Sequence, residues 1–109
     1  MDLQRGEIWW IDLDPTRGSE IKKIRPGVIL TVDALNKARR TVVIVPLSGS
    51  AQPRPPIVVA TPSAGSRSVA VCDQVRAVDK ERLVEKIGTL SKSDLMAMSS
   101  AVKQILGLS

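Results

Sequence analysis

The residues best suited to chemistry lie on one loop near the start of the chain. Glu20 brings a carboxylate, Ser19 a hydroxyl, and residues 22–25 bring three cations. A carboxylate can accept a proton, and clustered cations can stabilise an anion as its charge develops. The loop separates two apolar, β-rich segments, 7–13 and 27–32. Because loops held by rigid strands carry many functional residues, this loop is predicted to form part of a site.

Arg25 stands out on that loop because a proline follows it. Pro26 fixes its own φ angle and favours an extended backbone at Arg25. An arginine held at the entry of a strand can present its planar guanidinium to a phosphate. The alternative is an ordinary exposed arginine beside a turn proline, and the dipeptide alone does not decide between the two.

Ser48 is a second candidate, at the end of the predicted third strand. Pro46 has no N–H to donate to a sheet, so strand pairing is predicted to stop there. The hydroxyl of Ser48 would then be free to donate a hydrogen bond into a cleft. A serine that merely starts the proline-rich loop 48–56 is the alternative.

Missing residue types exclude several other chemistries. The chain has no histidine and a single cysteine, which removes Ser-His-Asp and Cys-His triads and histidine metal ligands. Its carboxylates show no EF-hand or similar spacing, and no Walker A or Gly-x-Gly-x-x-Gly pattern is present. No metal and no other cofactor is therefore predicted. Cys72 follows an apolar strand and is predicted to be a buried, inert thiol.

The positive charge of the chain is concentrated in one segment. The net charge is +5, and residues 17–40 contain seven cations and two acids, so the rest of the chain sums to zero. A local basic surface favours a polyanionic partner such as nucleic acid. A solubilising face with no anionic partner is the alternative.

Length and composition bound the architecture. The 109 residues predict one domain, 1–109, and the hydrophobic share of 43% argues against disorder. No apolar run approaches the roughly 18 residues that span a bilayer, and the N-terminus lacks the apolar part of a signal peptide. No membrane association is predicted, and a cytoplasmic location is expected.

Strand signals dominate the chain, and a helix ends it. Strands are predicted at 7–13, 27–32, 41–45, 57–60, 68–72 and 73–78, with 83–87 as a strand or a helical turn and 33–38 as a helical turn capped by Asp33. Ser91 and Asp94 form a capping-box pattern. One apolar helix face follows, made of Leu95, Met98, Val102, Ile105 and Leu106. This order predicts a small, bent antiparallel sheet with a C-terminal helix.

Three motif blocks resemble the MazF/PemK toxin family. The first is Gly-x-x-Trp from Gly6, then Gly18-Ser19-Glu20 and Arg25-Pro26; the second is Pro46-Leu47-Ser48; the third runs from Asp73-Gln74-Val75-Arg76 to Arg82-Leu83. Members of that family are small endoribonucleases of type II toxin–antitoxin systems that cut RNA without a metal. The resemblance implies an α+β, mostly-β fold: an SH3-like antiparallel β-barrel with a C-terminal helix. It also implies a homodimer, and an antitoxin whose acidic tail covers the active groove.

The resemblance implies roles for individual residues. The catalytic candidates are Arg25, Ser48, Glu20 and Asp73, with Glu20 or Asp73 as the base. The candidates for binding single-stranded RNA are Arg17, Ser19, Lys22, Lys23, Arg54 and Gln74. With only two aromatic residues, extensive base stacking is not expected, so bases would be read by hydrogen bonds.

The chain departs from the family pattern at three places. Family members commonly have threonine where Ser48 stands. The Kid branch places a basic residue two positions before its catalytic aspartate, where this chain has Val71, and a histidine in the first loop, where this chain has none. The acid–base pair of Kid therefore cannot be transferred whole. Arg76 and Arg82 can alternatively be ion-pair partners of nearby carboxylates.

Two other function classes stay open on sequence grounds. A non-catalytic gyrase poison of the CcdB type would share the fold, but the pair of Arg25 and Ser48 argues against it. An SH3-like adaptor would bind peptides in a groove lined by aromatic side chains. The chain has neither tyrosine nor phenylalanine, which argues against the adaptor.

Overall fold

The structure is a computed structural model that describes residues 2–13 and 23–108. Arg17, Ser19, Glu20 and Lys22 therefore lie outside the described residues. The elements follow the chain as β1 (Glu7–Asp12), β2 (Ile24–Ile29), α1 (Asp33–Ala38), β3 (Thr41–Ser48), β4 (Val58–Ala60), β5 (Val69–Val71), β6 (Arg76–Asp79), β7 (Leu83–Thr89) and α2 (Lys92–Ile105). Short 3-10 turns occur at Pro62–Ala64, Cys72–Gln74 and Lys80–Arg82.

The strands pair antiparallel in the order β4-β5-β3-β2-β1-β7, with β6 also beside β3. The prediction of a mostly-β fold with a C-terminal helix is confirmed. Within the two described ranges, β4 and β7 end the path of strands without pairing with each other, so the sheet is not closed.

Strand β3 changes its partner along its length. Its first half pairs with β6, up to Ile44 opposite Arg76, and its last two residues pair with β5, where Leu47 lies opposite Ala70. Between these two pairs β3 has two residues, 45–46, whereas the other segment has five, 71–75, and the 3-10 turn Cys72–Gln74 accounts for the three extra residues. The predicted strand 73–78 is wrong over its first residues, because this turn precedes β6.

The prediction that pairing stops at Pro46 is only half right. Pairing with β2 does end there, at the pair of Gly27 and Pro46. Strand β3 nevertheless continues to Ser48, because Leu47 and Ser48 pair with β5 instead. Strand β2 begins at Ile24 rather than at Gly27, and so includes Arg25.

The sheet carries a hydrophobic cluster on each face, and neighbouring residues of β2 show the alternation. Val28 belongs to the cluster covered by α2, whereas Ile29 belongs to the opposite one, and both are fully buried. The α2 side includes Ile8, Val45, Leu47, Ala70, Cys72, Leu90, Met98, Ala101 and Val102. The other side includes Leu3, Ile11, Val42, Ile44, Val78 and Leu83.

The start of α2 differs from the predicted capping box. The Ser91 hydroxyl accepts the N–H of Asp94 at 3.2 Å, as expected for an N-cap. The Asp94 carboxylate does not return to Ser91; it accepts from the N–H and hydroxyl of Ser63, at 2.8 and 2.5 Å. The Ser91 N–H is satisfied by the Ser63 hydroxyl instead, at 3.0 Å. Ser63 therefore ties α2 to the 3-10 turn Pro62–Ala64.

Two further details of the helices correct the sequence prediction. Asp33 does not cap α1; Val32 is the N-cap residue, and the Asp33 carboxylate accepts the N–H of Arg5 at 2.7 Å. On α2, Leu106 is the C-cap residue and is 55% exposed, so it does not belong to the buried face. Ala101, which was not predicted on that face, is buried there.

The Gly-x-x-Trp block is a structural motif. Gly6 adopts φ +95, a left-handed conformation that glycine tolerates best. The next residue, Glu7, is buried; its carboxylate accepts the indole N–H of Trp9 at 3.0 Å and pairs with Lys86 at 3.2 Å. These partners satisfy the buried charge and fix the start of β1.

Candidate active site

A groove of about 500 Å³ opens where β3 leaves β2 and turns to β5. Three cations line it: one comes from β6, one from β2 and one from the residue just before β2. A serine at the end of β3 and a glutamine of the 3-10 turn Cys72–Gln74 line it as well. Its lining residues are Leu13, Lys23, Arg25, Pro46, Leu47, Ser48, Ser50, Val71, Gln74 and Arg76. The partner switch of β3 therefore brings together segments that are far apart in the sequence.

Strand register explains why Arg25 and Ser48 meet in this groove. Each lies two residues beyond the last β2–β3 pair, Gly27 and Pro46, on the same face of the sheet. Arg25 is exposed, and no side-chain hydrogen bond or ion pair joins it to the described part of the chain. Its guanidinium is therefore available to an anion in the groove.

The hydroxyl of Ser48 is arranged to act as a donor. Its oxygen accepts the backbone N–H groups of Ser50 and Ala51, at 3.2 and 3.3 Å. These two bonds occupy both lone pairs, which leaves the hydroxyl proton to be donated. The only side-chain oxygen within reach among the described residues is the Ser50 hydroxyl, at 3.4 Å. An anionic oxygen in the groove would be a better acceptor.

We expect the two conservative changes at Ser48 to differ in effect. Ser48→Thr keeps the hydroxyl and should leave kcat within about threefold, whereas Ser48→Ala should lower kcat by roughly tenfold, as loss of one charge-assisted donor does. Single-turnover cleavage of RNA, the activity that the family resemblance implies, measures both rates, and circular dichroism checks that the variants fold. Equal rates for a folded Ser48→Ala variant and the unmodified protein would show that the hydroxyl takes no part.

Only part of the third sequence block lines the groove. Gln74 lines the groove, whereas Asp73, on the same 3-10 turn, is exposed and is not among the lining residues. Arg76 also lines the groove and has no side-chain partner in the described ranges. Arg82, by contrast, donates to the backbone oxygen of Asp12 at 3.1 Å, which is a structural contact.

The composition of the groove suits phosphate. Its described lining holds three cations, two hydroxyls and an amide, and no carboxylate. Guanidinium groups form paired, charge-assisted hydrogen bonds with phosphate oxygens. No three potential ligands of a metal ion cluster anywhere in residues 2–13 and 23–108.

Comparison with known proteins places the chain in a family. The sequence model described as "PemK-like, MazF-like toxin of type II toxin-antitoxin system" matches residues 4–106. The chain belongs to this family. Among its MazF/PemK relatives, endoribonuclease MazF9 of Mycobacterium tuberculosis is 32% identical, over 97% of this chain and 98% of the relative. Endoribonuclease MazF of Staphylococcus epidermidis is 33% identical, with coverages of 97% and 92%.

Solved MazF structures share the fold. A MazE–MazF structure from Deinococcus radiodurans covers 100% of this chain and 99% of the matched chain, with a TM-score of 0.86 and 23% identity. An endoribonuclease from a mycobacterial species covers 99% and 94%, with a TM-score of 0.82 and 23% identity. At this identity the likeness concerns architecture.

Arg76 is a groove residue that sequence reasoning did not select. In the Kid branch of the MazF/PemK family, the basic residue would stand at the position of Val71, which lines the groove without a charge. Arg76 enters the same groove from the start of β6. The available sequence signal was the arginine of the Asp-Gln-Val-Arg block, but an ion-pair role with a nearby carboxylate fitted the sequence equally well.

The described cations of the basic segment 17–40 lie at two separate places. Lys23 and Arg25 line the groove, which lies at the C-terminal end of β3. Lys37, Arg39 and Arg40 come immediately before the first residue of β3, at its N-terminal end. Because β3 has 8 residues in extended conformation, its two ends are roughly 23 Å apart. Arg54 lies outside the groove lining as well; its backbone exchanges two hydrogen bonds with Val58, at 2.7 and 2.9 Å.

Cys72 takes no part in the groove chemistry. Its side chain is fully buried, and its sulfur donates to the Ala70 carbonyl at 3.7 Å. Burial, with a further contribution from the Asp73 carboxylate, raises the pKa of the Cys72 thiol from 9.0 to about 11. A thiol that stays protonated at neutral pH is a poor nucleophile, in line with the prediction of an inert thiol.

No helix in the described ranges is long and apolar enough to cross a membrane.

Proposed function

We propose that this protein is the toxin component of a type II toxin–antitoxin system and a metal-independent endoribonuclease that cuts single-stranded RNA. The observation that supports it best is the groove in which Arg25, Arg76 and Ser48 offer hydrogen-bond donors and no described carboxylate competes with a phosphate. The relatives from Mycobacterium tuberculosis and Staphylococcus epidermidis are endoribonucleases by name.

The reaction uses the ribose next to the scissile phosphate as its own nucleophile. The 2′-oxygen bonds to phosphorus, its proton passes to a carboxylate, and the bond from phosphorus to the 5′-oxygen breaks. The departing oxygen takes up a proton from water and the carboxylate returns its proton to water, so the products are a 2′,3′-cyclic phosphate and a 5′-hydroxyl. Arg25 stabilises the extra negative charge of the phosphorane, and Ser48 donates to a phosphate oxygen. Arginine does not readily release a proton, so Arg25 is assigned this electrostatic role.

The base is Glu20 or Asp73. Asp73 is exposed and precedes the groove residue Gln74 on the same 3-10 turn, although it is not itself among the lining residues. Glu20 belongs to the loop before Lys23 and lies outside the described residues. The residues proposed to guide the RNA backbone and bases are Lys23, Gln74, Arg17, Ser19, Lys22 and Arg54. No aromatic residue is among the described lining of the groove, which favours reading bases by hydrogen bonds.

The same cations supply the proposed contacts with an antitoxin. Solved structures with this fold include an endoribonuclease in complex with its cognate antitoxin from a mycobacterial species. We propose that an acidic tail of the cognate antitoxin covers the groove and excludes RNA by charge complementarity. A homodimer in the cytoplasm is the proposed working form.

The function is tested on a long single-stranded RNA in excess EDTA. Cleavage should persist, because the described residues gather no metal-ligand set. Mass spectrometry of the fragments should show a cyclic phosphate on one side of the cut and a 5′-hydroxyl on the other. Cleavage that requires added Mg²⁺, or no cleavage at all, would refute the proposal.

A further inference from the structure

A cleft runs along the outer face of α2, and the reaction described above does not use it. Its volume is about 510 Å³, close to that of the groove. One wall is Arg5, from the segment before β1, and the other is a face of α2. The helix residues on that face, spaced by three and four positions, are Lys92, Leu95, Met96, Ser99, Ser100 and Lys103. We call this cavity the α2 cleft.

The α2 cleft is separate from the groove. The two cavities share no lining residue. Arg25 and Ile29 are four residues apart on β2, so their side chains lie on the same face of the sheet, and Ile29 belongs to the cluster on the side away from α2. A ligand in the α2 cleft would therefore leave Arg25 accessible to RNA.

The Arg5 wall of the α2 cleft is fixed by hydrogen bonds. The guanidinium donates from Nε to the Leu30 carbonyl at 3.0 Å and from Nη2 to the Ser99 hydroxyl at 2.6 Å. The backbone N–H of Arg5 donates to the Asp33 carboxylate at 2.7 Å. Because the wall is held in place before a ligand arrives, binding there costs little conformational entropy on the protein side.

The cleft combines an apolar floor with free positive charge. Met96 is 72% exposed, and Leu95 beside it is half-buried. Lys92 and Lys103 are exposed, and neither has a side-chain partner among residues 2–13 and 23–108. No carboxylate is among the described lining. The complementary ligand is therefore apolar along its middle and acidic at both ends.

The spacing of the two lysines favours a helix as that ligand. Lys92 and Lys103 are eleven residues apart on α2, which is three turns and roughly 16 Å. A second helix lying alongside α2 presents carboxylates at the same spacing, and the small side chains of Ser99 and Ser100 allow its backbone to approach closely. Single-stranded RNA fits less well, because its bases stack on aromatic side chains and the described lining contains none.

We propose that the α2 cleft is a docking site for an acidic amphipathic helix of a partner protein. The apolar face of that helix packs on Leu95 and Met96, and its carboxylates pair with Lys92 and Lys103. The site goes beyond the proposed RNA cleavage and does not depend on it. A partner docked there holds the protein without covering the groove, in contrast to the acidic tail proposed above for the antitoxin.

A synthetic peptide tests the docking site. The probe is a fluorescein-labelled helical peptide with leucines along one face and glutamates on the flanking positions, two of them eleven residues apart. Its control is a scrambled peptide of the same composition and charge, which has no apolar face. In fluorescence anisotropy the amphipathic peptide should bind the unmodified protein at least about tenfold more tightly than the scrambled one, because only the former brings apolar and acidic groups to the cleft together.

Charge-reversed variants locate the binding. Lys92→Glu combined with Lys103→Glu should weaken peptide binding by about tenfold, and Met96→Ala by about threefold through lost apolar contact. The matched control combines Lys37→Glu with Arg39→Glu, which changes the net charge equally at exposed positions outside the α2 cleft. At physiological salt this control should change the Kd by less than about twofold, since screening limits distant charges. Circular dichroism checks that all variants fold.

Competition with RNA separates the α2 cleft from the groove. A saturating oligonucleotide made of 2′-O-methyl nucleotides, which cannot be cut, should leave the Kd of the peptide unchanged. The variant with both Lys92→Glu and Lys103→Glu should still cut RNA within about threefold of the unmodified rate.

Three results would overturn the docking site. Displacement of the peptide by the oligonucleotide would place the peptide in the groove, equal losses in the control variant would reduce the effect to net charge, and equal binding of the scrambled peptide would remove the need for a helix. None of these results bears on RNA cleavage. Conversely, a protein that binds the peptide as expected but cuts no RNA would refute the proposed function and leave the docking site standing.

Discussion

Arg25→Ala is expected to reduce RNA cleavage by at least about a hundredfold, because it removes the guanidinium that we propose stabilises the phosphorane. The fold should tolerate the change. Arg25 is exposed at the start of β2, and no side-chain bond joins it to the described residues, so the free energy of unfolding should change by less than about 1 kcal/mol. Single-turnover cleavage and circular dichroism melts measure the two effects.

Two further variants make this result specific. Arg25→Lys keeps the charge but loses the two-pronged donor, so its activity should lie between those of Arg25→Ala and the unmodified protein. Arg39→Ala removes the same type of side chain at a remote exposed site and should cut at the normal rate. A folded Arg25→Ala variant that cuts as fast as the unmodified protein would remove Arg25 from the mechanism.

A single 2′-deoxy nucleotide at the mapped cut site is expected to stop cleavage completely. The substitution removes the nucleophile and leaves the shape and charge of the RNA almost unchanged. Binding should therefore survive, with Kd within about threefold of the all-ribose oligonucleotide, since one neutral hydroxyl hydrogen bond contributes little. Gel cleavage assays and fluorescence anisotropy on the same oligonucleotide separate binding from chemistry.

The position of the deoxy nucleotide serves as its own control. Moving it elsewhere in the oligonucleotide should restore cleavage, because only the ribose at the cut site supplies the attacking oxygen. Continued cleavage with the deoxy nucleotide at the cut site, or a 5′-phosphate on the product, would mean that water is the nucleophile. The roles assigned to Glu20, Asp73 and Arg25 would then have to be revised.

The sequence predicted the elements whose signals are local. Residues 7–13 and 41–45 correspond to β1 and the larger part of β3, and the apolar spacing of Met98 and Val102 predicted the buried face of α2. Predictions failed where a distant partner decides the outcome. Strand β3 passes Pro46 because β5 is there to pair with Leu47, and Asp94 turns away from Ser91 because Ser63 packs against the helix start.

The candidate site shows the same division. Arg25 and Ser48 could be selected from the sequence because a neighbouring proline marks each of them, and the structure places both in one groove. The role of Arg76 could not be assigned, because whether an arginine is paired with a carboxylate depends on contacts that spacing does not reveal. The charge of segment 17–40 was assigned to one surface for a similar reason: the sequence does not show that the length of β3 separates Lys23 and Arg25 from the cations at 37–40.

The partner switch of β3 also ties the groove to the core of the protein. The groove combines residues from Leu13 to Arg76, and the cluster on the α2 side includes Met98, Ala101 and Val102. Leu47 belongs both to the groove lining and to that cluster. A local unfolding event that detaches α2 is therefore expected to loosen the end of β3 that carries Ser48, so the groove should be lost together with this part of the core.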